Sequence, residues 1–348
     1  MDFPGIQQHV ILAPYTTWGI GGEAEFFLEA KTSEEIIEAV KVAKQNGLKF
    51  YILGNGSNVL VPDEGLKGFV IVNKTKGIEV LGGGNLGDLD DLEDKETASI
   101  SPTAVVPHRH NETGDENFLK FADLDYVETG EIKQVKFDSG VDIGFAIAWC
   151  LKNNLSGLQW YAGIPSTMGG ALFNNIHGGT HHFSERFASA QIIDENGEIR
   201  QVSAEFFNFG YDQSVLREKP EIIVLSVTLN LFEGDVERSK LVAMDWLRRK
   251  KIQPRKSCGS VFKNLTEEDK TKLNLPTPSA GYVVDKLLGM RGYRVGNMQI
   301  PETHGNFIVN LGGGTAAETL EIIHKVKSEA LEKLGLVMVE EVKIMGRD

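Results

Sequence analysis

Cysteine is scarce in this sequence, with Cys150 and Cys258 as the two cysteines among 348 residues. They are far apart and fit neither a CxxC nor a His/Cys metal-ligand spacing, so we expect no disulfide framework and no metal site. The sequence also lacks an apolar run long enough to cross a bilayer. Its first residues, MDFPGIQQHVILAPY, contain neither the basic segment nor the apolar core of a secretory signal. We therefore expect a cytoplasmic protein with no membrane span.

Positive charge is scarce as well, because 36 lysines and arginines stand against 49 aspartates and glutamates and give a net charge of −13. This charge opposes extended contact with nucleic acid or anionic lipid, and an anionic substrate would need local positive charge. The composition, 41% hydrophobic and 24% charged, is typical of a globular protein. Since 348 residues exceed what one hydrophobic core organises, we expect two or three compact units.

Helical and strand patterns alternate along the chain and predict an α+β fold. Thr32 and Glu35 form a capping box before apolar residues at helical spacing, and Gly47 ends this predicted helix. Strands are predicted at 50–53 and 59–61. Further along, we expect helices at 145–153, 236–251 and 315–335, a hairpin at 190–202 whose Asn196-Gly197 turn supplies positive φ angles, and strands at 222–231 and 337–345.

Residues 83–133 differ in character from the rest of the chain. They include the acidic run GDLDDLEDKE and a polar, proline-containing segment. Acidic runs of this kind are more often a solvated surface than a binding site. We interpret this region as a polar insertion between structured segments.

Two glycine-rich turns are the strongest chemical signals in the sequence. In the first, GNGSN at 54–58, glycines let the backbone approach a ligand closely and donate N–H groups to a diphosphate, although such turns are also plain tight turns. It is not a Rossmann fingerprint, because a strand and not a helix follows it. The second turn, AGIPSTMGGA at 162–171, adds a proline and two hydroxyls. Two such loops can hold one dinucleotide. The predicted cofactor-binding residues are Gly54, Asn55, Gly56, Ser57, Asn58, Gly163, Ile164, Pro165, Ser166, Thr167, Gly169 and Gly170.

Four segments together resemble one enzyme family. They are YTTWGIGG at 15–22, ILGNGSNVLV at 52–61, GLQWYAGIPSTMGGALFNN at 157–175 and CGSVFKN at 258–264. Their order and spacing resemble the UDP-N-acetylenolpyruvoylglucosamine reductases, also called UDP-N-acetylmuramate dehydrogenases. The resemblance covers roughly residues 12–75 and 135–346.

The resemblance implies a fold, a cofactor and a domain plan. The fold is a two-lobed FAD-binding domain of the vanillyl-alcohol-oxidase type with a smaller α+β substrate-binding domain. Lobe 1 is expected at 1–75, lobe 2 with the insertion at 76–235, and the substrate-binding domain at 236–348. Residues 51–61 contain no histidine or cysteine that could attach a flavin, so non-covalent FAD is expected.

The implied activity is the reduction of UDP-N-acetylenolpyruvoylglucosamine to UDP-N-acetylmuramate, with NADPH as reductant and FAD as hydride carrier. This reaction belongs to peptidoglycan precursor synthesis, and hence to cell wall biogenesis, cell shape and cell division. The expected partners are the UDP-sugar and NADPH, without nucleic acid. The resemblance implies nothing about the oligomeric state.

The resemblance also implies roles for single residues. Ser260 takes the position of the proton donor to the substrate. Glu341 takes that of the glutamate that orients the substrate carboxyl group, and burial would favour its protonated form. Strand alternation predicts that Glu340 faces the opposite side. The expected substrate contacts are Lys263, Asn264, Asn306 and Lys343.

One departure from the family pattern concerns a charge. Relatives normally carry Tyr-Arg-x-Ser where this chain has YDQS at 211–214, so Asp212 replaces a catalytic arginine. Either another cation such as Arg186, Arg217 or Arg255 substitutes, or Asp212 acts as an additional acid. Two alternatives follow: a flavin oxidase on the same scaffold, or a catalytically impaired flavin- or nucleotide-sugar-binding paralogue. Smaller departures are Ser166, His177 and Cys258.

Overall fold

The computed structural model describes residues 4–82 and 126–346. Most of the predicted insertion at 83–133 therefore lies outside the described residues. By its internal contacts the chain divides into two compact units. The first unit contains residues up to Leu28, Val42–Val72 and residues from Gln253 onward, and the second contains Glu29–Lys41 and Asn73–Ile252.

The described strands are β1 (Gln7–Ile11), β2 (Glu23–Ala30), β3 (Phe50–Leu53), β4 (Val59–Leu60), β5 (Leu66–Asn73), β6 (Ile78–Leu81), β7 (Glu131–Asp138), β8 (Leu155–Ser156), β9 (His177–Gly178), β10 (His181–His182), β11 (Phe187–Ile193), β12 (Ile199–Val202), β13 (Ile223–Glu233), β14 (Arg294–Val295), β15 (Met298–Gln299), β16 (Val309–Asn310) and β17 (Lys343–Ile344). The described α-helices are α1 (Ser33–Gln45), α2 (Ile143–Lys152), α3 (Met168–Asn174), α4 (Ala204–Phe207), α5 (Val236–Lys251), α6 (Glu267–Lys272), α7 (Ala280–Tyr282) and α8 (Ala316–Leu334). A π-helical turn at Val283–Leu287 continues α7, and 3-10 turns lie at Ala13–Tyr15, Gln159–Tyr161, Phe183–Glu185 and Val215–Arg217.

In the first unit, a four-stranded sheet has the order β1-β2-β5-β3, with β3 and β5 parallel. The C-terminal residues add a three-stranded sheet, β14-β15-β16, against which α8 packs. Strand β17 pairs in parallel with β4. Trp18 is buried in the core beside α8 and donates its indole N–H to the Ile308 carbonyl over 2.7 Å. This pairing ties the N-terminal and C-terminal segments of the sequence into one core.

In the second unit, one sheet has the order β12-β11-β13-β7-β6, and β8 also pairs with β13. The long central strand β13 is buried along most of its length, as expected for a strand covered on both faces. Helices α2 and α3 contribute to a core that includes Trp149, Trp160, Phe183 and Phe207. This core supports the second glycine-rich turn, which begins directly after Tyr161.

The capped helices were predicted correctly. Thr32 and Glu35 exchange hydrogen bonds between side chains and amides before α1, and Thr315 and Glu318 do the same before α8. Gly335 ends α8 in the left-handed conformation. These signals are local, so they needed no tertiary information.

Other expectations need correction. At the hairpin, Gly197 has a positive φ of 90° whereas Asn196 does not, because the Asp194 side chain accepts the Asn196 and Glu198 amides and forms a wider loop. The predicted strand at 337–345 is reduced to β17 at its end. Helix α2 begins two residues earlier than predicted, because Asp142 caps it by accepting the Phe145 amide.

Within the described ranges, no helix is both long and apolar enough to cross a bilayer. In those same ranges, no group of three or more histidine, cysteine, aspartate or glutamate side chains could hold a metal ion.

Candidate active site

The first glycine-rich turn, Gly54–Asn58, connects β3 to β4 in the first unit. Its Gly56 has a left-handed backbone with φ of 60°, and a Cβ built there would lie 2.0 Å from the carbonyl oxygen of Tyr15. The Gly56 carbonyl accepts a hydrogen bond of 3.1 Å from the Thr17 amide. The protein's own backbone therefore already requires glycine here, and the contact of this glycine with a cofactor stays a prediction.

Asn58 joins this turn to the C-terminal strand. Its carbonyl accepts a 3.0 Å hydrogen bond from the Lys343 amide, and its Nδ2 donates to the Glu341 carbonyl over 3.5 Å. Its Oδ1 is buried and has no hydrogen-bond partner within residues 4–82 and 126–346. Buried acceptors normally have a donor. This oxygen therefore fits a ligand that offers a hydroxyl or N–H group.

The predicted catalytic residues lie on two paired segments of the first unit. The Glu341 amide donates to the Val261 carbonyl over 2.8 Å, and Phe262 and Glu340 form an antiparallel bridge. Ser260 directly precedes Val261 and is partly buried. The structure thus brings the backbones of Ser260 and Glu341 together, although 80 positions of sequence separate them.

The Glu341 carboxylate acts on Cys258 through its charge. Burial is the main cause that holds the pKa of the Cys258 thiol well above its ordinary value, and the negative charge of Glu341 raises it further. Cys258 is also almost fully buried. A thiol with a raised pKa is a poor nucleophile, so Cys258 is an inert small side chain beside the candidate site.

Glu340 and Glu341 have different environments, as strand alternation predicted. Glu340 forms an ion pair with Lys327 of α8, with 2.7 Å between Oε1 and Nζ. The charge of Glu341 instead raises the pKa of Cys258, and the Glu341 carbonyl accepts a hydrogen bond from Asn58 Nδ2. The adjacent glutamates are therefore available for separate roles.

Asn306 braces the segment that carries Ser260. Its Oδ1 accepts the Phe262 amide over 2.9 Å and its Nδ2 donates to the Phe262 carbonyl over 2.8 Å. Its carbonyl accepts the Val261 amide, and the residue is buried. These bonds give Asn306 a structural role in positioning Ser260, and its contact with a substrate stays a prediction.

The other predicted substrate contacts lie around the same pairing. Lys263 donates its amide to the Val339 carbonyl over 2.9 Å, and Lys343 lies at the start of β17. Asn264 is exposed, and its Oδ1 accepts the Ala280 amide over 3.2 Å at the start of α7. Backbone pairing therefore determines where both lysines lie.

The second glycine-rich turn lies in the second unit, before α3. Thr167 caps this helix by accepting the Gly170 amide over 3.2 Å, and Ser166 donates to the Thr167 carbonyl over 3.1 Å. Both hydroxyl side chains are buried. They stabilise the turn itself, whereas Gly163 and Pro165 are exposed.

The backbone of this turn is held from two sides. The Ile164 amide donates to the Tyr161 carbonyl over 3.1 Å, and the Gly169 amide donates to the Ser139 carbonyl over 2.8 Å. Gly163 has φ of 82°, and a Cβ there would lie 2.8 Å from the Cβ of Lys250. The conformation of the turn is therefore defined by the surrounding protein.

A buried polar network beside this turn was not predicted from the sequence. Glu128 accepts from Ser156, Gln159 and Tyr126, and Gln159 accepts the Gly157 amide. Glu128 is buried. The predicted insertion was therefore drawn too far toward the C-terminus, because Tyr126 and Glu128 enter this network and β7 begins at Glu131. A lone glutamate in a polar region carries no sequence signal for burial.

Asp212 lies in a tight turn and its carboxylate faces the imidazole of His177. Gly210 and Gln213 form an isolated bridge around it, and its φ is 48°. The distance from His177 Nε2 to Asp212 Oδ1 is 3.6 Å, with Asp212 buried. The aspartate that replaces an arginine is thus paired with a titratable base.

Two of the three arginines proposed as substitutes have other described contacts. Arg217 donates to Asn174 Oδ1 over 2.7 Å, and the guanidinium of Arg186 lies over the Trp160 ring. Arg255 is an exposed residue of the first unit. His177 was expected to be a minor departure from the family pattern. The sequence did contain one signal for the contact between His177 and Asp212, because both positions depart from the family pattern in the same chain.

Comparison with known proteins adds independent observations. The C-terminal domain of UDP-N-acetylenolpyruvoylglucosamine reductase matches residues 251–345, and an FAD binding domain matches residues 24–85 and 117–203. A UDP-N-acetylenolpyruvoylglucosamine reductase from Bacillus subtilis is 32% identical over 340 residues, which are 96% of this chain and 92% of that protein. The chain belongs to the UDP-N-acetylenolpyruvoylglucosamine reductase family.

Further relatives of the reductase family match over nearly the whole length. One from Pediococcus pentosaceus is 29% identical over 355 residues, covering 99% of this chain and 97% of that protein. The crystal structure of UDP-N-acetylenolpyruvylglucosamine reductase from Thermus caldophilus has a TM-score of 0.67 at 28% identity, covering 97% of this chain and 99% of that one. The predicted α+β FAD-binding fold and the assignment to an FAD-dependent oxidoreductase are confirmed.

The residues described here fit FAD, which is the cofactor expected for this family. The unpaired Asn58 Oδ1 offers an acceptor to a hydroxyl or ring N–H, and the exposed Gly163 and Pro165 leave the second turn accessible. In the second turn, the amides of Ile164, Gly169 and Gly170 and the Ser166 hydroxyl already have acceptors within the protein, whereas the Thr167 hydroxyl accepts the Gly170 amide and could donate its own proton to a diphosphate.

Proposed function

We propose that this chain reduces UDP-N-acetylenolpyruvoylglucosamine to UDP-N-acetylmuramate in the cytoplasm, with NADPH as reductant and non-covalent FAD, and so supports cell wall biogenesis, cell shape and cell division. The observation that carries the proposal is the pairing of the Ser260 and Glu341 segments, to which Asn58 of the first glycine-rich turn is also bonded. Residues proposed for proton donation, substrate orientation and cofactor binding thus share one part of the first unit.

FAD, when bound, would supply hydride transfer from NADPH to the enolpyruvyl carbon C3. The chain's own residues would handle the proton and the charge. Ser260 would donate its hydroxyl proton to C2, where negative charge develops after hydride arrives. Glu341 would orient the substrate carboxyl group, and Lys263 and Lys343 would supply positive charge for the anionic substrate.

We further propose the cofactor and substrate assignments of the domain plan. Residues 1–75 and 76–235 would bind FAD through Gly54–Asn58 and Gly163–Gly170, and residues 236–348 would bind the sugar nucleotide. The family match to the C-terminal domain starts at residue 251, which leaves most of α5 outside it. The exposed Asn264 would contact the substrate directly, whereas Asn306 would act by holding Phe262 and Ser260 in place.

The test separates the two half-reactions of the Ser260→Ala variant by stopped-flow absorbance of the flavin. Reduction by NADPH should remain within a few-fold of wild type, because Ser260 enters only after hydride transfer. Oxidation of the reduced enzyme by the enolpyruvyl substrate should slow by about 10² or more. Ser257→Ala is the matched control, because its buried hydroxyl donates to the Pro254 carbonyl within the same loop.

Equal slowing of both half-reactions in Ser260→Ala would contradict the proton-donor role. Rapid oxidation of the reduced wild-type enzyme by oxygen, together with no reaction with the enolpyruvyl substrate, would contradict the reductase and favour a flavin oxidase.

A further inference from the structure

The loop that leads to Ser260 is anchored on its upstream side by Thr17. The Thr17 hydroxyl donates to the Ser257 carbonyl over 2.7 Å, although 240 positions of sequence separate the two residues. Next to it, the Asn310 amide donates to the Lys256 carbonyl over 3.0 Å. Ser257 is buried. These bonds hold the loop just before the proposed proton donor.

The same loop is anchored on its downstream side by Asn306. Its carbonyl accepts the Val261 amide and its Oδ1 accepts the Phe262 amide, both over 2.9 Å. Between the two anchors, Gly259 has a φ of 83°, and no atom lies within 4 Å of a Cβ built on it. A glycine in open space restrains the chain weakly. The position of Ser260 therefore depends on both anchors.

Thr17 also holds the first glycine-rich turn. Its amide donates to the Gly56 carbonyl over 3.1 Å, and its hydroxyl lies 3.5 Å from the same oxygen. A hydroxyl has one proton to donate, and the Ser257 carbonyl is the nearer acceptor. The amide of Thr17 therefore serves the turn, while its side chain serves the loop before Ser260.

The segment that carries Thr17 is itself firmly held. The neighbouring Trp18 is buried and donates its indole N–H to the Ile308 carbonyl over 2.7 Å. The Trp18 carbonyl accepts a hydrogen bond of 2.9 Å from Asn310 Nδ2. All of these residues belong to the first unit. Thr17 is therefore a fixed point from which the loop can be held.

We propose that Thr17 is a positioning residue for proton donation, and that its hydroxyl keeps the loop of Ser260 in register with the turn Gly54–Asn58. The inference rests on the proposed function, since it assumes that Ser260 protonates the substrate and that this turn binds FAD. Proton transfer requires the donor oxygen close to the reacting carbon, and a displacement of about 1 Å can slow such a step by about 10². Thr17 acts through Ser260 and not on the substrate.

The first test measures both half-reactions of Thr17→Ala and Thr17→Ser by stopped-flow absorbance of the flavin. In Thr17→Ala, reduction by NADPH should stay within a few-fold of wild type, and oxidation by the enolpyruvyl substrate should slow by about tenfold. Thr17→Ser differs from Thr17→Ala by the hydroxyl alone, so it should recover most of the lost rate.

Thr319→Ala is the matched control, because it makes the same change at a buried position of the first unit. The Thr319 hydroxyl donates to the Thr315 carbonyl within α8 over 2.9 Å. Both half-reactions of this variant should match wild type. If Thr17→Ala does not fold, Thr17→Val removes the same hydroxyl at nearly the same volume and is measured in its place.

A double variant tests whether Thr17 acts through Ser260. Adding Thr17→Ala to Ser260→Ala should slow flavin oxidation by less than about twofold, because the group that it positions is already missing. The same loss in both backgrounds would overturn the inference, since Thr17 would then act independently of Ser260.

Two measurements on the FAD-bound protein do not depend on turnover. The flavin-to-protein absorbance ratio of Thr17→Ala should match wild type, because the amide bond to Gly56 remains. Amide hydrogen exchange at 258–260 should be about tenfold faster in Thr17→Ala, whereas the Phe262 amide, held by Asn306, should exchange as in wild type. Loss of flavin, or unchanged exchange at 258–260, would overturn the inference.

The outcomes separate this inference from the proposed function. Oxidation of the reduced flavin at the wild-type rate in Thr17→Ala, with Ser260→Ala slow, would overturn the inference and leave the proposed function standing. Absence of any reduction of the enolpyruvyl substrate by wild type, or equal slowing of both half-reactions in Ser260→Ala, would overturn the proposed function and this inference with it.

Discussion

Two glycines with similar backbones illustrate the residue scale. Gly47 and Gly56 have φ values of 64° and 60°, but nothing lies within 4 Å of a Cβ built on Gly47, whereas Tyr15 blocks Gly56. Both fall in the left-handed region, in which a side chain is unfavourable. The difference between them is therefore the close approach of another backbone segment.

Alanine substitutions should separate these two effects. Gly47→Ala should lower the free energy of unfolding by about 1 kcal/mol, because strain alone is added. Gly56→Ala should lower it by about 3 kcal/mol or more and release FAD, because the Tyr15 backbone must move. Chemical denaturation and the flavin-to-protein absorbance ratio measure both effects. Similar losses of stability in the two variants would contradict the role of the Tyr15 contact.

Restoring the family's arginine at position 212 should lower turnover. Arginine is strained at a φ of 48°, which costs about 1–2 kcal/mol, and its charge would lie beside His177 and Lys250. Single-turnover oxidation of the reduced flavin should slow by about tenfold in Asp212→Arg, and Asp212→Asn should stay within a few-fold of wild type. A strong gain in both variants would show instead that the native carboxylate impedes the reaction.

At the scale of elements, the segment before β17 places two neighbouring glutamates in different environments. Glu340 is bonded to Lys327 of α8, and Glu341 lies beside Cys258 and the Ser260 segment. Their different environments follow from the alternation of side chains along an extended backbone. The pair therefore provides an internal comparison of a structural carboxylate, Glu340, and the carboxylate proposed to be catalytic, Glu341.

Glutamine substitutions test that comparison. Glu341→Gln should slow flavin oxidation by the enolpyruvyl substrate by roughly 10², because the substrate carboxyl group loses its partner. Glu340→Gln removes a partly exposed ion pair, so the free energy of unfolding should fall by no more than about 1 kcal/mol with normal kinetics. Stopped-flow absorbance and urea denaturation provide the readouts. A kinetic defect in Glu340→Gln equal to that in Glu341→Gln would refute the separation.

The start of helix α8 is stabilised by residues distant in sequence. Thr315 accepts the Glu318 amide, and Asp63 accepts the Ala316 and Ala317 amides over 2.7 and 2.8 Å. The capping box was visible in the sequence, but the contribution of Asp63 was not. A carboxylate at a helix N-terminus also interacts favourably with the helix dipole.

Loss of the Thr315 cap should lower the stability of the fold as a whole. Thr315→Ala should lower the free energy of unfolding by about 1 kcal/mol, because α8 is buried in the core of the first unit. The same change at Thr266, which caps α6, should have a smaller effect, since that helix has no buried residues. Urea denaturation of both variants makes the comparison, and an equal or larger loss in Thr266→Ala would contradict it.

For the whole molecule, cofactor binding should control stability. A ligand that binds only the folded state raises the free energy of unfolding by about 2.7 kcal/mol at a concentration of 100 times its Kd. Removal of FAD should therefore lower the melting temperature, and added FAD should restore it. Riboflavin, which lacks the diphosphate, should restore much less if backbone amides of the glycine-rich turns bind that group. Equal protection by riboflavin and FAD would count against diphosphate binding.

Local signals determined much of this protein. The capping boxes of α1 and α8 depend on neighbours in sequence, so they were predicted from the chain alone. The combination of motifs also predicted the FAD-binding fold and the reductase family, because the order of several moderately specific segments is itself specific.

Only the tertiary structure decided the relations between distant segments. It pairs Glu341 with the Ser260 segment, buries Glu128 in a polar network, sets the Tyr15 carbonyl against Gly56 and places His177 opposite Asp212. Each relation depends on backbone pairing or packing between residues that are remote in sequence. Such a contact contributes free energy only once the chain has folded. Hydrophobic periodicity and turn chemistry therefore do not predict it.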